Sequence, residues 1–200
     1  MLLVIETATA ACSVALLDAD GGAIDERHEV VGRGHAERLV PMIEELLAGR
    51  RPVSILVDCG PGSFTGIRVG LAAAHGLAIG WGVPIAGFSS LALLAAMSNE
   101  AEVAAALHGG HGEIFVQSYG GALLAPLAPL RSLRPEAAAE AVAADVVIGP
   151  AAELLVALRG RGRAIDALPR AAEAGRLPPP LRSLPPRPLY GRAPDARPMA

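Results

Sequence analysis

The sequence contains no lysine at all; each of its 17 basic residues is arginine. That absence removes Schiff-base lysines and every phosphate-loop lysine from consideration. Only two cysteines, Cys12 and Cys59, are present, both inside apolar strand-like runs, so a disulfide framework is excluded and a reducing compartment, the cytoplasm, is expected. There is no basic excess either. A net charge of -3 and a pI near 5.9 offer no field to hold a polyanion, so any nucleic acid is expected to be reached only through a partner's surface. The N-terminal run has no positive flank and carries Glu6, which argues against a signal peptide. Finally, no Asp, Glu or Arg occurs from Val69 to Met97, but Gly80, Gly82 and Pro84 break that run into pieces too short for a membrane span; it reads as the buried layer of an α/β core.

What is present orders itself along the chain. Leu2 to Ile5, Cys12 to Leu17 and Ala23 to Val31 read as an antiparallel three-stranded meander with turns between. Ala36, Leu39, Val40, Ile43, Leu46 and Leu47 recur at helical spacing up to Gly49, and Pro41 either kinks that helix or marks its first turn. A strand over 53–59, a helix over 64–81, a strand over 84–87 and a helix over 89–97 capped by Ser89 or Ser90 complete a first unit spanning 1–98. A second, smaller unit over 99–176 has strands at 103–107, 113–119 and 146–148 and helices around 135–144 and 151–158. Eight prolines follow Leu177, a composition that predicts an unpacked, extended tail over 177–200.

The run Gly60-Pro61-Gly62-Ser63-Phe64-Thr65-Gly66-Ile67-Arg68-Val69-Gly70 follows a strand and opens a helix. Ser63 is a suitable N-cap, and such a helix start can hold an anion. The letters nevertheless fit neither a Walker loop, nor a dinucleotide fingerprint, nor a hydrolase elbow. Gly66, Gly70, Gly76 and Gly80 together sacrifice roughly 4 kcal/mol of helix propensity, at about 1 kcal/mol each, which close packing must offset. Gly66, Gly70 and Ala73 share one side, so the stripe is either an internal helix contact or a subunit interface.

With Ile5-Glu6-Thr7-Ala8-Thr9, Cys12-Ser13-Val14-Ala15-Leu16, His35-Ala36-Glu37-Arg38-Leu39 and, more faintly, Pro188-Leu189-Tyr190-Gly191-Arg192, that run resembles the TsaB family, also called YeaZ. The resemblance implies an actin-like, ribonuclease H-like α/β fold of two tandem lobes with mixed sheets flanked by helices. It also implies a non-catalytic subunit of tRNA threonylcarbamoyladenosine synthesis that pairs with a TsaD-type transferase and is joined by a TsaE-type ATPase, with a homodimer as the alternative pairing. No cofactor is implied for this chain alone; ATP or ADP would belong to the interface of the complex. Family pairing uses the first two helices, which points to Leu39, Ile43, Gly66, Ile67, Gly70, Ala73 and Leu77 as partner-facing, so Gly70→Leu is expected to block association while leaving the fold intact. The resemblance implies that Glu6, Thr7, Gly60, Gly62, Ser63, Phe64, Thr65 and Arg68 form a structural motif and the part of the chain that would stand nearest any nucleotide, although many relatives carry Asp at the position of Glu6.

Two other chemistries compete. Glu6 and Asp58 each end a strand where superfamily kinases keep acids for a nucleotide's metal, which supports a phosphotransferase as the second reading. His108, His111 and Glu113 are metal-capable residue types, but they flank a Gly-rich turn without helical His-x-x-x-His spacing, so a metallohydrolase is the third reading and neither a metal site nor a catalytic residue is assigned. His35 and His75 read as capping and packing histidines.

Overall fold

The computed structural model describes residues 1–189. Leu2–Glu6 (β1) and Ala11–Leu17 (β2) are buried almost throughout, as strands covered on both faces must be. They form an antiparallel meander with Ala23–Val30 (β3), in which Glu6 pairs with Ser13 and Ser13 with His28. After the helix His35–Leu47 (α1), the strand Ser54–Asp58 (β4) joins β1 in parallel; after the helix Phe64–Trp81 (α2), Ile85–Phe88 (β5) joins β4 in parallel. The first sheet has the order β3-β2-β1-β4-β5. The two crossovers place α1 and α2 on one face, over Leu3, Ile5, Val14, Leu16, Ile55 and Val57.

The other face of that sheet, Val4, Ala15, Leu17, Leu56 and Phe88, packs on the short helix Ser90–Met97 (α3). This helix is apolar all round and buried. Beyond it, Glu102–His108 (β6) and Ile114–Gly120 (β7) form an antiparallel pair at the centre of a second sheet. Ala125–Pro126 (β8) and Arg131–Leu133 (β9) both pair with β7, while Val146–Ile148 (β10) and Arg163–Ile165 (β11) extend the sheet in parallel beyond β6. Pro135–Ala141 (α4) and Ala152–Arg159 (α5) cover its far face. The layers therefore run helices, sheet, α3, sheet, helices. Among the described residues no helix is long and apolar enough to cross a membrane.

Four expectations are corrected. Strands β8, β9 and β11 were not anticipated, because two or three residues carry no readable alternation. Pro41 lies in the second turn of α1, on its solvent side, so it does not start the helix. Neither serine caps α3 through its side chain: Ser89 makes no cap bond, and the Ser90 hydroxyl donates to the Pro61 carbonyl at 2.6 Å. The proline-rich end is packed as far as it is described. Leu177 is buried, Pro179–Arg182 forms a 3-10 turn, Gly87 and Leu184 exchange backbone hydrogen bonds of 2.7 and 3.0 Å, and the Leu189 amide donates to the Cys59 carbonyl at 2.8 Å. Proline lacks a donor, but the non-proline residue Leu184 supplies the bonds that blunt the open edge of β5, and Leu189 ties the segment to the end of β4. The Tyr190-Gly191-Arg192 part of the motif and the remainder of the expected tail lie outside the described residues.

Candidate functional site

The site grows from two turns at the carboxyl ends of β1 and β4, where an α/β sheet presents its crevice. The Ser63 amide donates to the Ala8 carbonyl at 2.7 Å, and the Thr7 hydroxyl donates to the Gly66 carbonyl at 2.8 Å. Ser63 caps α2 as its sequence position indicates, its hydroxyl accepting the Gly66 amide at 3.2 Å. A side chain at Gly62 would collide with the Ala8 carbonyl, so the two turns can meet only where that residue has no Cβ. Phe64, Thr65 and Arg68 stand exposed at the mouth, with the Arg68 guanidinium 3.5 Å from the centroid of the Phe64 ring.

Glu6 and Asp58 are brought together at the base of these turns, and both are fully buried. Burial, then the neighbouring Asp58 charge, push Glu6 well above the usual carboxylate range; burial raises Asp58 as well. This geometry does not fit a nucleotide's metal. One oxygen of each acid is occupied by its own turn, with the Ala8 amide at 2.8 Å on Glu6 Oε1 and the Gly60 amide at 3.0 Å on Asp58 Oδ1. The remaining oxygens are sealed from solvent. The space between the sheets is packed with Phe88, Leu91 and Leu94, and with Ala171 and Ala174 of the 3-10 turn Ala171–Arg176. That turn is anchored to the first sheet: the Ala171 amide donates to Ser13 Oγ at 2.9 Å, and Arg170 pairs with Glu26. Sequence reading missed this link, which joins residues more than a hundred positions apart.

The histidine group does not assemble. His108 Nε2 lies 3.0 Å from the Pro150 carbonyl, Glu113 accepts the Ser132 hydroxyl at 2.6 Å, and His111 occupies a left-handed turn at φ 60°. Among the described residues, no three His, Cys, Asp or Glu side chains are placed to hold a metal. His35 is buried with Nε2 3.0 Å from the Ala11 carbonyl, and His75 stands 3.0 Å from the Pro186 carbonyl.

The two helices divide the expected partner-facing residues. Leu39, Ile43, Gly66, Ile67 and Gly70 point into this chain's own core, while Ala73 and Leu77 are half-buried beside it. A Cβ on Gly66 or Gly70 would strike Thr7, so these glycines exist for an internal approach of α2 to the turn after β1, and the expectation that Gly70→Leu spares the fold is corrected accordingly. The opposite arc of α2 faces outward: Ala72, Gly76, Ile79 and Gly80, with Ile79 83% exposed and open space around both glycines. On α1, Ala36 and Val40 are exposed, Val40 at 59%. The missed residues had a signal, a third and fourth glycine at 76 and 80 out of phase with 66 and 70.

The family described as tRNA N6-adenosine threonylcarbamoyltransferase (TsaD) matches residues 21–126 of this chain, just over half of it. The tRNA threonylcarbamoyladenosine biosynthesis protein TsaB of Escherichia coli is 35% identical over 127 residues, covering 59% of this chain and 54% of that protein. The corresponding TsaB of Haemophilus influenzae is 44% identical over 99 residues, 47% of this chain and 41% of that protein, so the chain spans about half the length of the curated relatives it matches. A solved structure titled YeaZ from Pseudomonas aeruginosa superposes with a TM-score of 0.75 at 33% identity, covering 86% of this chain and 87% of that one.

Proposed function

Since the chain belongs to the TsaB (YeaZ) family and has its actin-like fold, we propose that it is a partner subunit in tRNA threonylcarbamoyladenosine synthesis, pairing with a TsaD-type transferase and doing no chemistry of its own. In this reading a TsaE-type ATPase joins the same assembly, tRNA is met only through the complex, and the subunit works in the cytoplasm. A second copy of the chain takes the partner's place when the partner is absent.

The observation that carries this reading is the contrast between the two ends of the site. At the cradle, the strand-end acids Glu6 and Asp58 are sealed and bonded to their own turns, which withdraws both from a substrate's metal and from general acid–base work. On the helices, small and apolar residues stand exposed: Ala72, Gly76, Ile79 and Gly80 of α2, and Ala36 and Val40 of α1. Small residues allow close helix approach, and exposed Ile79 and Val40 supply apolar area, the combination that a helix-on-helix interface needs. This face adjoins the half-buried Ala73 and Leu77, so those two remain in the proposed interface and the five inward residues support it from beneath. Any ATP or ADP belongs to the joint surface near Phe64, Thr65 and Arg68, the exposed lip of the cradle.

Reconstitution tests it. A TsaD-type transferase supplied with tRNA, ATP and threonylcarbamoyl donor is expected to modify adenosine at least tenfold faster with this chain than without it, while the chain alone shows no turnover. Turnover by the isolated chain, or no change on adding it to the transferase, contradicts the proposal.

A further inference from the structure

Glu6 and Asp58 sit one residue beyond the paired Ile5 and Val57 at the ends of adjacent parallel strands, with neither exposed to solvent. Each gives one oxygen to an amide of its own turn, and the Cys59 and Ser90 amides also face Asp58, yet Glu6 Oε2 and Asp58 Oδ2 are buried without a hydrogen-bond partner among the described residues. The strand register sets the two buried carboxyl groups side by side. Ionised carboxylates are acceptors only, so two of them cannot satisfy one another, and sealed like charges at this range repel strongly. Among the described residues no cation stands beside the pair. The titratable neighbours are Cys12 on β2 and Cys59 after β4, thiols that burial pushes up to about 12 and therefore keeps neutral, while α3 contributes Ser90, whose hydroxyl is spent on the Pro61 carbonyl.

We propose that Glu6 and Asp58 hold a single proton between Oε2 and Oδ2, and that this acid–carboxylate pair latches the turn after β1 to the turn that starts α2, in place of the cation site that acids at two strand ends suggest. The latch is local to the fold. Its two turns are the ones joined by the Ser63 amide to the Ala8 carbonyl and by the Thr7 hydroxyl to the Gly66 carbonyl, so the proton fixes where α2 begins. Glutamate suits this task better than aspartate at position 6, because its extra methylene lets one carboxyl reach both the Ala8 amide and the neighbouring strand.

The test is a cycle of amide substitutions read by thermal unfolding of the isolated full chain. In Glu6→Gln, the carbonyl oxygen accepts the Ala8 amide and the NH2 group donates to Asp58 Oδ2, reproducing the latch without a titratable proton. Asp58→Asn does the same in the opposite direction. Each single variant is therefore expected to melt within about 3 °C of the parent at pH 6. The double variant places two NH2 donors face to face with no acceptor between them, and should melt about 5 °C or more below the sum of the two single effects. A pair that binds its proton more tightly folded than unfolded contributes fully below the usual carboxylate range and loses that contribution as pH rises through its raised folded value. The parent should accordingly lose stability toward pH 9 while Glu6→Gln does not. Additive effects in the double variant, failure of both single variants to fold, or a rise in melting temperature on adding millimolar MgCl2 to the parent that Glu6→Gln abolishes would each overturn the proposal.

Discussion

Thr7 is the residue on which the two halves of the cradle turn. It is fully buried, its hydroxyl donates to the Gly66 carbonyl, and both Gly66 and Gly70 pack against it without room for a Cβ. A glycine in mid-helix costs about 1 kcal/mol in propensity, and here the return is an approach of helix to turn that no other residue permits. Gly70→Leu must displace Thr7 and Ile5 from a filled core, so it is expected to destabilise the chain by about 3 kcal/mol or more and to yield insoluble or molten protein. Gly76→Leu, which meets nothing within 4 Å, should unfold at nearly the parent temperature. Circular dichroism melts of the two variants check the contrast; equal melting temperatures would contradict the assignment of inner and outer glycines.

Among the elements, α2 shows most clearly what could and could not be read beforehand. Its boundaries, Phe64 to Trp81, follow from a serine cap, a run of helix-compatible residues and a glycine stop, all local signals. Its orientation does not. Residues on every side are small or apolar, and Arg68 is its one charged position, so periodicity alone cannot say which arc faces the core. The amphipathic α1 was easier, because Glu37, Glu44 and Glu45 mark its wet side against buried Leu39, Met42, Ile43 and Leu46. Likewise Glu6 and Asp58 are visible as acids at strand ends, whereas their mutual contact depends on the β1–β4 register, which no letter records. The stretch 178–189 was misread for a related reason: composition describes an average, while three backbone hydrogen bonds at Leu184 and Leu189 decide the outcome. Truncation after Leu177 is expected to lower the melting temperature by about 5 °C or more relative to truncation after Leu189, because it reopens the β5 edge and removes the cover over Cys59 and Gly60. Coincident melts of the two truncations would show that this segment is not part of the folded body.

At the level of the whole molecule, the actin-like fold has the region between its two sheets filled with side chains. Side chains of α3 and of Ala171 and Ala174 occupy the region between the sheets, and the strand-end acids Glu6 and Asp58 are fully buried. The outside of α1 and α2 carries exposed Val40 and Ile79, and there the proposed partner surface lies. The central claim is therefore that the outer arc of α2 is a docking surface, and the affinity of the chain for its TsaD-type partner measures it directly. By calorimetric titration, a Gly76→Arg/Ile79→Asp variant that melts like the parent is expected to bind that partner about 100-fold more weakly or not at all, since two charges in the middle of a close-packed helix interface forfeit about 3 kcal/mol or more. Parental affinity in that folded variant would contradict the account.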